Sequence, residues 1–160
     1  MTLLPSLIFG FLLSVACGLR IFIPFLCLNI FVSMGLIVVP NSWSWIGSSE
    51  TFSFLLIATI IEFIAVYFPV VSTFYKTITI HVALISGAFI ISFFLLDGNI
   101  IVEPLLRWTL AIVFGGTIAT LCRVFSLTID GGVPHPLKLV EDITSIGASV
   151  ATMASFAILL

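Results

Sequence analysis

Charge is what this chain has least of. Of its 160 residues, five are Lys or Arg and seven are Asp or Glu, so 8% are charged while 61% are hydrophobic. A water-soluble domain carries about a quarter charged residues. So few charges cannot coat a water-facing surface, which excludes a soluble enzyme, and so much apolar surface excludes a disordered chain. A net charge of −2 supplies no basic footprint, which excludes nucleic acid as a partner. Cysteine is sparse too. Cys17, Cys27 and Cys122 all lie in apolar runs and form no CxxC pair. An odd count of that kind reads as small packing residues rather than a disulfide framework. His81 and His135 are the two histidines. Both stand alone near segment ends, and no third ligand converges on either, so no metal or other cofactor is expected. P-loop, GxGxxG and nucleophile-elbow motifs are also missing.

What is there is apolar helix-forming sequence, with a mean hydropathy of +1.40. The class left is a polytopic membrane protein. A spanning helix needs about 20 mostly apolar residues, so the chain has room for about five or six membrane segments. The expected fold is all-α, a transmembrane helix bundle with residues 1–160 as a single domain. The lipid bilayer is its first partner, and a bacterial-type inner (plasma) membrane its expected location. The N-terminus lacks the Lys/Arg-rich region of a signal peptide, so the first segment is expected to stay in the mature protein.

Gly and Pro punctuate the chain. The first apolar run, Leu3 to Val39, would be roughly 55 Å long as one helix, far beyond a bilayer core. Gly18-Leu19-Arg20 followed by Pro24 is where it breaks. Two pieces result, about 3–18 and 20–38, forming a re-entrant hairpin or two short spans. Residues 40–50 read as a polar loop anchored by Trp43 and Trp45 at an interface. A span at about 51–68 ends at Pro69. Residues 70–80, rich in Ser and Thr, read as an interfacial segment. Further spans follow at about 81–96, at 104–127 and from 137 onward. Glu103-Pro104 opens the second of these, with Trp108 near its boundary. Asp130-Gly131-Gly132-Val133-Pro134-His135-Pro136 is the strongest turn cluster.

Residues Ala16 to Phe22 align weakly with Ala119 to Phe125, placing Arg20 over Arg123. Glu62 then follows in one half and Glu141 in the other. Two halves, 1–69 and 79–160, of three segments each would form an inverted repeat of the kind seen in transporters. Chance similarity between two apolar helices is the other reading.

A charge at mid-bilayer costs roughly 2.5–3.5 kcal/mol on insertion scales. Glu62 is the deepest acid, set among Ile60, Ile61, Phe63 and Ile64. Arg20 and Arg123 are its candidate partners, since an arginine cannot discharge and needs an acid or a ring of carbonyls. Glu141-Asp142 stands in the first turns of the last helix, where acids suit the helix dipole. Glu141 also opens a stripe with Ser145, Ala148, Ser149, Thr152 and Ser155 at helical spacing. The candidate polar core is therefore Arg20, Glu62, Arg123, Glu141 and Asp142. Gly18, Pro24, Gly131, Gly132 and Pro136 shape the breaks around it. Gly10, Ser14 and Gly18, like Gly115, Ala119 and Arg123, are spaced by four and read as helix-packing faces.

Several of these residues carry a family resemblance. Gly18-Leu19-Arg20, Phe22, Pro24, Trp45-Ile46-Gly47, Glu62, Pro69, Gly131-Gly132, Pro136 and Glu141-Asp142 occur in an order that resembles the DUF4126 family of small membrane proteins over nearly the whole chain. The resemblance implies membrane topology and importance for Arg20, Glu62 and Glu141-Asp142. It implies no substrate. The chain departs from the family pattern around Pro69, where neighbouring basic and acidic residues are missing, and at His81-Val82-Ala83, where a proline is usual.

The favoured function is movement or sensing of a small solute or ion through a buried Arg/Glu core. A chain this short is expected to work as a homo-oligomer. The alternative is a non-catalytic accessory or scaffold subunit of a membrane complex. A lipid-modifying membrane enzyme is least favoured, because no motif joins Glu62, His81, Glu141 and Asp142.

Overall fold

The computed structural model describes residues 3–67, 72–95, 104–130 and 136–159, with side chains described for 7–65, 76–95, 104–128, 140 and 142–158. Within them every regular element is a helix. The α-helices are α1 (Leu3–Leu19), α2 (Phe22–Ser33), α3 (Ser49–Tyr67), α4 (Ser72–Phe94), α5 (Pro104–Leu110), α6 (Thr117–Asp130) and α7 (Pro136–Leu159). A 3-10 helix, Asn41–Gly47, precedes α3, and a π-helical stretch, Ala111–Gly116, joins α5 to α6.

Local chemistry sets these boundaries. Pro24 has no N–H to offer the Arg20 carbonyl, and its ring would collide with that carbonyl in a continuous helix. The chain therefore leaves α1 after Leu19 and restarts at Phe22, with Pro24 in the first turn of α2, where proline is tolerated. At the other end of α2, Gly35 takes φ +71°. Its N–H bonds Val32 O and the Leu36 N–H bonds Phe31 O, both at 3.0 Å. This glycine-dependent cap stops α2 at Ser33, several residues before the expected end near 38. Ser48 starts α3, its Oγ accepting the Thr51 N–H at 3.2 Å. The expected polar loop at 40–50 is thus mostly a 3-10 helix leading into α3.

Residues 72–80, expected as a segment apart from the span at 81–96, are the first turns of α4, which runs unbroken to Phe94. Hydroxyls within an apolar helix satisfy themselves against the preceding turn. Thr79 Oγ1 donates to Lys76 O at 3.1 Å, as Thr59 Oγ1 does to Leu55 O at 2.7 Å. Polar composition alone is therefore a poor marker of a boundary here.

Two helices, Lys76–Phe94 and Pro104–Thr128, are long and apolar enough to cross a membrane. The pair Asn41–Gly47 and Ser49–Ala65, bent by 54°, makes a third if it acts as one span. Five or six segments were expected, and among the described residues two or three meet the length. α2 is short because the break before it and Gly35 after it confine it to Phe22–Ser33, while the described side chains of α1 and α7 cover the apolar stretches Leu7–Leu19 and Asp142–Ile158.

α1 is the central element. It packs on α2, α4, α6 and α7, while α4 also lies along the π-helical stretch and α6. Leu13, Cys17, Ile90, Phe94, Ala119 and Met153 form the buried centre of this packing. Two close crossings hold it. A Cβ on Gly87 would stand 2.2 Å from Gly115 O, and one on Gly115 the same distance from Gly87 O. A Cβ on Gly18 would lie 2.6 Å from Ala119 O. Ser14 Oγ ties α1 to α4 further, its hydroxyl shared between Gly10 O at 2.8 Å and Gly87 O at 3.2 Å. The small-residue faces read from the sequence are therefore contact faces. α2 and α7 pack on each other and α3 packs on α2, forming the second side of the molecule.

The tryptophans tie elements together. Trp43 stacks on Trp45 and meets Phe89 and Phe93 edge-on, and Phe89 meets Trp108 at 5.7 Å.

Candidate functional site at the break between helices α1 and α2

A broken helix exposes two sets of unsatisfied backbone groups, carbonyls where the first half ends and N–H groups where the second begins. In this chain both sets lie in the interior. Cys17, Arg20, Ile21 and Ile23 are all under 5% exposed. Water cannot satisfy the freed groups at such depth, so side chains from other helices must.

They do so with charge. The Glu62 carboxylate, from the middle of α3, accepts the Ile21 N–H at 3.0 Å and the Phe22 N–H at 3.2 Å. Ile21, the residue preceding α2, has no capping side chain of its own. Glu62 therefore acts as a cap donated by another helix, its negative charge facing the positive end of the α2 dipole. At the opposite side of the break, Arg123 Nη1 in α6 donates to Leu19 O at 3.0 Å, a cation on the negative end of α1. Ser145 Oγ in α7 reaches Ala16 O, one turn earlier, at 3.3 Å. The gap residue Arg20 turns to α7, where its guanidinium forms an ion pair with Asp142 and donates to it through Nε. Its Cζ also lies 5.2 Å from the centroid of the Phe63 ring, next to Glu62 in sequence.

Four of the five residues expected in the polar core thus meet around one backbone gap. Arg20, Glu62, Arg123 and Asp142 are each no more than 4% exposed. Glu62 was expected to pair with an arginine, and the contacts described above place its carboxylate on backbone N–H groups. Arg20 finds its acid in Asp142, a member of the candidate polar core that the sequence did not single out as its partner. The Glu141 side chain lies outside the described residues, as do Gly131 and Gly132, and of Pro136 only the backbone, which opens α7, is described. Gly18 lies at the α1–α6 crossing, and Pro24 is buried in the first turn of α2. The polar stripe of α7 is shifted from the expected one: Asp142, Ser145, Ser149 and Thr152 are buried, whereas Ala148 and Ser155 are exposed. A stripe counted from Glu141 is one residue out of phase at its start.

Asn29 escaped the sequence reading. It is buried in α2, and its Nδ2 donates to Ile46 O and, at 3.2 Å, to Ser48 O. A lone amide in an apolar helix was the available signal, since such a group must find partners. It pins α2 to the segment entering α3, and so helps hold Glu62 opposite the break. Among the described residues no group of three or more His, Cys, Asp or Glu is placed to hold a metal ion. His81 is exposed, with Nδ1 3.0 Å from Thr77 O.

A family model described as a domain of unknown function (DUF4126) matches residues 7–158. No curated protein and no solved structure matches the chain.

Proposed function

The chain belongs to the DUF4126 family, whose description assigns no activity, and from that premise we propose that it is an integral membrane protein that moves a small solute or ion past the break between α1 and α2. One observation carries this reading: in a chain with so little charge, Glu62 and Arg123 hold the two free helix ends of a gap whose own Arg20 is paired with Asp142. Discontinuous helices inside a membrane are where secondary transporters place their sites, because half-helix ends present N–H groups to anions and carbonyls to cations. Here side chains occupy those ends, so a passing solute takes its place by displacing Glu62 or Arg123. The inverted repeat is kept within this proposal. Arg123 lies in a continuous α6 while Arg20 lies at a break, so the two halves would serve unlike roles at the site.

The test is flux in proteoliposomes loaded in turn with proton-, chloride- and potassium-sensitive dyes. Wild-type protein is expected to carry at least one of the three, and Glu62→Gln and Arg20→Ala to lose it while remaining folded by circular dichroism. Flux equal to wild type in both variants, or no flux of any probe by the wild type, sinks the transport reading. The scaffold reading is favoured by a specific observation of its own. α3 leaves Phe54, Ile57, Ile60, Ile61 and Ile64 more than half or about half exposed, a face suited to lipid, to a second copy or to a partner helix. A stoichiometric partner retained in mild detergent would support it.

A further inference from the structure

A second feature lies along the flank of α1. A groove of about 390 Å³ runs between α1, α4 and the α5–π segment, lined by Leu7, Phe11, Leu12, Leu95, Leu110 and Phe114 among others, all apolar. Its size falls in the range of small-molecule sites, about 300–1,000 Å³. Phe11, Leu12 and Phe114 are 44–49% exposed, so the groove opens sideways, along the flank of the helices. Leu7 is near the start of α1, Leu95 just beyond the end of α4, and Leu110 at the end of short α5. These antiparallel placements put the mouth of the groove at one end of the bundle, with Leu12 and Phe114 deeper.

Arg107 stands at that end. It lies three residues before Leu110, on the same side of the helix, and side chains on a helix lean toward its N-terminus. This places Arg107 about one turn toward the mouth from Leu110, with its Cζ 5.9 Å from the centroid of the Trp108 ring. Arg107 Nε is buried and has no hydrogen-bond partner. A buried donor left unmade is costly, and a guanidinium is the side chain best matched to a phosphate diester.

We propose that this groove holds one anionic phospholipid, its acyl chain against the apolar walls and its phosphodiester on Arg107. The inference rests on the membrane reading above but not on transport. The occupant is a lipid because the walls are wholly apolar and open sideways, while the cation Arg107 stands toward the end where a headgroup would lie.

The experiment is native mass spectrometry of detergent-extracted, delipidated protein titrated with phosphatidylglycerol or phosphatidylcholine of identical acyl chains. Wild type is expected to retain one phosphatidylglycerol about fivefold better than phosphatidylcholine, the scale of one basic residue near an anionic headgroup. Arg107→Ala should abolish that ratio and Arg107→Lys should keep part of it. Leu12→Trp, which narrows the groove from an exposed wall, should weaken retention of both lipids. Equal retention of the two lipids by wild type overturns the proposal, as does an unchanged ratio in Arg107→Ala or unchanged retention in Leu12→Trp. Extraction of the protein from membranes by alkaline carbonate overturns the membrane reading itself. Carbonate-resistant protein without lipid preference overturns only the lipid site.

Discussion

Arg20 and Asp142 form an ion pair at 2% and 5% side-chain exposure. Removing one partner of such a pair leaves the other buried and uncompensated, a cost of about 3–5 kcal/mol, whereas replacing both with apolar residues of similar size is often neutral. Asp142→Asn is therefore expected to lower stability by about that amount. The double variant Arg20→Met, Asp142→Leu should recover most of the loss, read as thermal melting of the detergent-solubilised protein. A double variant as unstable as the single one would show that Arg20 is needed for more than its partner. Some of this pair was legible in advance. A short list of deep charges follows from hydropathy alone, and Pro24 locates the gap because proline acts on its own neighbourhood. The pairing was not legible. A carboxylate can accept from several donors, and only the path of the chain in three dimensions shows that the Ile21 and Phe22 N–H groups are among those that Glu62 meets.

At the scale of elements, the π-helical stretch is the feature that periodicity missed. Residues 104–127 read as one regular span, and Ala111–Gly116 contains nothing in composition to mark a wider turn. The Thr117 N–H bonds Ile112 O, five residues back. A π turn absorbs one extra residue in an otherwise α-helical segment, so the flanking turns keep their mutual orientation. Removing Val113, which is 51% exposed, is then expected to convert the stretch to α-helix and leave Arg123 opposite Leu19. Removing Leu121, 68% exposed, has no wide turn to absorb it and rotates Arg123 by about 100°. The measurement is the yield of monodisperse protein in detergent for the two deletions. Comparable yields would refute the assigned function of the π turn. Element ends were more legible where one residue type forces the outcome, as with Pro24, than at Gly35, where a single left-handed glycine ended α2 early.

At the scale of the whole molecule, α1, α4 and α6 cross so closely that three glycines leave no room for a side chain. Gly87→Ala sets a methyl against the Gly115 carbonyl, and overpacking of this kind costs about 1–3 kcal/mol or more. Gly147→Ala in α7 meets nothing within 4 Å and is expected to stabilise the helix by about 0.5–1 kcal/mol. Melting temperatures of the two variants should therefore move in opposite directions. A neutral Gly87→Ala would mean that the crossing can open. The all-helical, apolar character of the molecule followed from composition. The breaks inside the first apolar run were harder to place, because a hydropathy run does not report where Pro24 and Gly35 together will confine α2 to twelve residues.

The ion pair at the gap also has a consequence in time. Its two residues are 122 positions apart. At about 5–20 residues per second of synthesis, Arg20 is in place roughly 6 to 24 s before Asp142 exists. Glu62 arrives sooner, 41 residues after Ile21, so α2 gains its cap early while Arg20 waits. The polar centre of the protein is finished only when α7 is made, and any chain halted before that point carries the charge of Arg20 without the acid that answers it.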